Sequence, residues 1–71
     1  MINQTFNEIV AIASQHSLMT VAEFSELLQE VDYDKKAACK SIMYTAFADG
    51  VNSPAYEQIK NLYNNYLKSA A

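Results

Sequence analysis

The chain has 71 residues, 51% hydrophobic and 18% charged, with a net charge of −3 and one each of Gly, Pro and Cys, which is the composition of one small globular domain. All five basic residues are Lys, which excludes arginine forks for phosphate and a strongly basic nucleic-acid binder. Such apolar content also excludes low-complexity disorder.

Four helical segments follow in chain order. Phe6, Ile9, Val10, Ala13 and Ser17 recur at three/four spacing and predict a helix over 5–16, opened by a capping box Thr5-Phe-Asn-Glu8. A second box, Thr20-Val-Ala-Glu23, opens a helix over 20–31, with Met19 placed to staple onto Phe24. Val21, Phe24, Leu27, Leu28 and Val31 line one face of it, and Glu23, Glu26, Gln29 and Glu30 the other. After Asp32-Tyr33-Asp34, where either Asp can cap, a third helix is expected over 35–49 with Ala38, Cys39, Ile42, Met43, Ala46 and Phe47 inward. Gly50 is expected to end it in the left-handed conformation. Ser53 as N-cap and Pro54 at the first helical position restart the chain over 54–68, with Ile59, Leu62, Tyr63, Tyr66 and Leu67 inward. No stretch alternates with the period of a strand. The expectation is an all-α, single four-helix domain over 1–71, its helices antiparallel and its loops short.

Chemistry-bearing residues are few. Cys39 lies near Lys36 and Lys40, but its place on the apolar side predicts core packing. His16, the lone histidine, falls at the end of the first helix, where its ring suits the free carbonyls and the dipole. Nothing sets a base beside a nucleophile, one Gly cannot build a phosphate loop, and Asp32-Tyr33-Asp34 is followed by no further calcium ligands. No catalytic, cofactor or metal residues are expected, and no enzyme. A single Cys, no basic leader and no long apolar run make a cytoplasmic protein without a membrane span the expectation.

Charge and tyrosine remain. Residues 1–34 hold Glu8, Glu23, Glu26, Glu30, Asp32 and Asp34 and no Lys; residues 35–71 hold Lys35, Lys36, Lys40, Lys60 and Lys68 against Asp49 and Glu57. Glu23, Glu26 and Glu30, at i, i+3 and i+7, share a helix face that Asp32 and Asp34 extend. Five Tyr supply amphipathic rings suited to an interface. The expected partner-binding residues are Glu23, Glu26, Glu30, Asp34, Tyr33, Tyr63 and Tyr66. They fit a non-enzymatic interaction module (an accessory subunit, adaptor or inhibitor, with a mobile element as one source) for a protein with a basic surface. A homodimer is also in view, the Lys35/Lys36/Lys40 cluster meeting the acidic face of a neighbouring subunit. The alternative is a transcriptional or nucleoid co-regulator acting on DNA directly or through a partner, although net negative charge without Arg disfavours nucleic acid.

Two stretches carry family likenesses. Ala48-Asp49-Gly50 followed by Ser53-Pro54 resembles the helix–turn–helix junction of TerB-like tellurite-resistance domains over residues 42–67, with Val51 and Asn52 in reversed order. Thr20-Val21, Phe24, Leu27-Leu28, Tyr33 and Tyr44-Thr45-Ala46 resemble the middle of the small Hha/YmoA proteins, which implies a helical co-regulator that binds the nucleoid protein H-NS. That family's acidic-His-Arg stretch is absent here. Helix caps and apolar stripes produce such likenesses by themselves, so neither assigns the chain to a family.

Overall fold

The computed structural model describes residues 2–70 as four helices: α1 Ile2–Gln15, α2 Val21–Glu30, α3 Lys35–Asp49 and α4 Pro54–Ala70. The all-α four-helix expectation holds, and the differences lie at helix ends and in which faces are covered.

α1 begins a turn earlier than the periodicity predicts, so Thr5 is an interior residue and no cap. The extra turn is held by other parts of the fold. Ile2 packs partly against the core, and Lys35 Nζ donates to Asn3 Oδ1 at 2.8 Å. At its other end, Leu18 N donates to Ala13 O (2.9 Å) and Ser17 N to Ser14 O (3.1 Å), with Ser17 at φ 56°. This is a Schellman closure, so Ser17 ends the helix and does not extend its apolar face.

α2 has the predicted capping box: Glu23 N donates to Thr20 Oγ1 (3.2 Å) and Thr20 N to Glu23 Oε1 (3.0 Å). The two aspartates that follow separate in role. Asp32 takes the left-handed position (φ 55°) of a second Schellman closure, in which Tyr33 N donates to Leu28 O and Asp32 N to Gln29 O. Asp34 caps α3, its Oδ1 accepting from Lys36 N and Ala37 N. Gly50 corrects the sequence expectation: it ends α3 at φ 165°, which is extended backbone. Ser53 and Pro54 behave as predicted, Tyr56 N donating to Ser53 Oγ at 3.1 Å.

The core draws on Phe6, Ile9 and Ala13 of α1, Ala38, Cys39, Ile42 and Ala46 of α3, and Ala55, Ile59 and Tyr63 of α4, with Phe24 the one buried side chain of α2. α1, α3 and α4 each pack on the other two, while α2 packs on α3. The domain is therefore a three-helix core with α2 laid on its outside. A radius of gyration of 11.1 Å matches the ~11 Å of a folded chain this long. Among the described residues, no buried side-chain nitrogen or oxygen lacks a partner.

Candidate functional site

α2 presents its acids as the sequence predicts. At 100° per residue, Glu23, Glu26 and Glu30 fall within about 60° of helix circumference, turned away from Phe24 and Leu28, with Leu27 at the border of the two faces. All three are exposed, as are Asp32, Tyr33 and Asp34 in the turn that follows. Two of these carboxylates already have local duties, Glu23 in the capping box and Asp34 at the α3 N-cap. Glu26, Glu30 and Asp32 give the surface its freely presented charge.

Tyr33 is the unusual member. It follows Asp32 directly into the left-handed region, at φ 62°, where an L-residue costs roughly 1–2 kcal/mol. The residue is 64% exposed, so core packing does not offset that cost. A large aromatic is thus held out between two aspartates.

The other two expected tyrosines leave this surface. Tyr63 is a correction: at 7% exposure it fills the core between Ile59 and its neighbours, and burial pushes its hydroxyl above the ordinary tyrosine range. A ring this deep is unavailable to a partner. Tyr66 is half-buried in a shallow groove between α1 and α4, with Gln4, Thr5, Leu62, Asn65 and Ser69. The groove's volume of about 190 Å³ is below the ~300–1,000 Å³ of small-molecule sites. The structure therefore unites Glu23, Glu26, Glu30, Tyr33 and Asp34 and separates Tyr63 and Tyr66 from them.

A second surface was missed. Ala38, Cys39, Ile42 and Ala46 occupy one arc of α3, and Tyr44 lies about 190° round the helix from its centre. Tyr44 and Phe47 are 58% and 50% exposed, and Val51 just past the helix end is 52% exposed. Phe47 touches Tyr56 of α4 edge to face, with centroids 5.4 Å apart, and Lys60 Nζ sits 5.5 Å over the Tyr56 ring. The signal was present in the sequence, because apolar residues surround α3 instead of forming one stripe. Lys36 and Lys40 are exposed on the same outer side. Lys35 is not free in that way: besides bonding Asn3, its Nζ lies 5.5 Å over the Phe6 ring, so it leans on α1 and not on the acids.

The remaining reactive groups are quiet. Cys39 is fully buried, and desolvation pushes its thiol up to about 11. The neighbouring lysines thus do not activate it. His16 is exposed at the end of α1. Among the described residues, no three His, Cys, Asp or Glu side chains come together in a way that could hold a metal, and no helix is long and apolar enough to cross a membrane.

Comparison with protein-family models, with curated proteins and with solved structures finds no match to this chain. Neither family likeness in the sequence gains a family match from them.

Proposed function

We propose that this is a non-enzymatic, cytoplasmic protein–protein interaction module that docks a protein with a basic, partly apolar surface against the acidic face of α2 and the α2–α3 turn. Tyr33 carries the reading. Its strained backbone holds an exposed aromatic residue in the turn that directly follows the acidic face of α2, next to Asp34, and strain of this kind persists where it serves a contact. The ring supplies an anchor with few rotamers to lose, and the carboxylates supply long-range attraction and register.

The test compares capture by the wild-type chain, Tyr33→Gly and Glu26→Lys/Glu30→Lys. Glycine relieves the left-handed strain while removing the ring, so Tyr33→Gly is expected to melt higher and to lose the partner. Glu26→Lys/Glu30→Lys is expected to lose it while folding normally. If Tyr33→Gly retains the partner at wild-type affinity, the reading is wrong.

A further inference from the structure

We infer that the partner fitted to the α2 face is a second copy of this chain, each copy laying Glu26, Glu30 and Tyr33 against the outer face of the other's α3. This rests on reading the α2 face as a docking surface, and it adds what covers the second one. The outer side of α3 is an unpartnered helix face with the spacing of a packing stripe: Lys36, Lys40, Tyr44 and Phe47 run at intervals of four, four and three. Its aromatics are about half exposed or more although the core is complete without them. It carries the opposite charge to α2 and belongs to the half of the chain that holds every lysine.

Charge complementarity selects the occupant. A face with two lysines at one end and two aromatics at the other calls for an acidic surface bearing an apolar or aromatic group. The acidic face ending in Tyr33 has those properties. The acidic stretch is the shorter of the two: Glu23 to Glu30 spans about 10 Å of helix and lies within the about 16 Å from Lys36 to Phe47, which leaves length for the residues of the following turn. Lys36 also lies in the first turn of α3, where the helix dipole disfavours positive charge, so a facing carboxylate relieves an unfavourable placement.

One copy cannot satisfy both faces itself, because α2 meets α3 through its apolar side and the glutamates point away from it. A two-fold axis makes the two contacts at once, since each copy then gives one acidic and one basic face.

Sedimentation velocity of the full chain from micromolar to millimolar concentration tests this, with circular dichroism confirming that each variant folds. The wild type is expected to form a dimer that weakens as salt rises. Tyr44→Ala, at an exposed position, is expected to raise the dissociation constant about 30-fold or more. Lys36→Glu/Lys40→Glu and Glu26→Lys/Glu30→Lys are each expected to be monomeric alone. Mixed, they are expected to form a heterodimer, because every contact is again between opposite charges. A wild-type chain that stays monomeric overturns the inference, as does a dimer indifferent to these changes, a mixture that does not pair, or an open series of oligomers. Self-association and hetero-docking fail separately: a monomeric wild type that still loses a captured protein on Tyr33→Gly leaves the docking face standing.

Discussion

Lys35 Nζ and Asn3 Oδ1 meet at 2.8 Å across thirty-two residues of sequence, tying the first turn of α3 to the first turn of α1. The same ammonium lies over Phe6, so one flexible side chain fixes where α1 begins. Lys35→Ala is expected to cost roughly 0.5–1.5 kcal/mol in urea unfolding. Asn3→Ala should cost less, and the double variant should show a coupling of about 0.5 kcal/mol. Strict additivity of the two would dissociate the bond from the start of α1.

Asp32 and Asp34 should respond in opposite directions. Asp32 sits at φ 55° with its backbone closing α2, a position glycine adopts more readily, so Asp32→Gly is expected to raise stability by about 0.5–1 kcal/mol. Asp34 caps α3, and Asp34→Ala is expected to lower it by about 1 kcal/mol. Thermal or urea denaturation of the two variants reads both signs.

Gly50 is not required for its conformation. At φ 165° its backbone is extended, and an added Cβ would meet only Ser53 Cβ at an ordinary 3.9 Å. Gly50→Ala is therefore expected to be neutral, or to stabilise by up to about 1 kcal/mol through the unfolded chain. A loss of several kcal/mol would mean that a left-handed residue is needed there after all.

Cys39 makes stability depend on alkaline pH. Below pH 9, its ordinary value, the thiol is protonated in both states and its contribution is complete. Above pH 9 the unfolded chain releases the proton, while the folded chain holds it until about 11. Stability should fall across that window by up to ~1.4 kcal/mol per pH unit. The difference between wild type and Cys39→Ala isolates this slope from the tyrosines and lysines that titrate nearby. At pH 8 the folded thiol should resist iodoacetamide and react only on unfolding.

Tyr63 and Tyr66 test the division between core and surface. Tyr63→Ala removes a ring from the core and is expected to cost ~3–5 kcal/mol, enough to unfold much of so small a domain. Tyr66→Ala, in the open groove between α1 and α4, is expected to cost under ~1.5 kcal/mol.

Local devices are the part of this protein that can be read directly from its residues. The Thr20–Glu23 box, the Ser53–Pro54 start and the acidic face of α2 depend on contacts within four positions, so residue spacing alone specifies them. The four helices follow from periodicity for the same reason. Tertiary packing decided what spacing cannot express. Thr5-Phe-Asn-Glu8 has the letters of a capping box, yet Asn3, held by Lys35, carries the helix past it. Tyr63 and Tyr66 stand on one predicted stripe, but only Tyr63 meets the full depth of the core. Tyr44 and Phe47 stay exposed because α3 already spends one arc on α1 and α4, and α2 rests on its flank without covering the opposite side. The charge imbalance between the two halves was likewise fixed by composition. Helix packing decided that a basic, aromatic face of α3 stays open as well, because burying one arc of that helix against α1 and α4 determines which of its residues are left exposed.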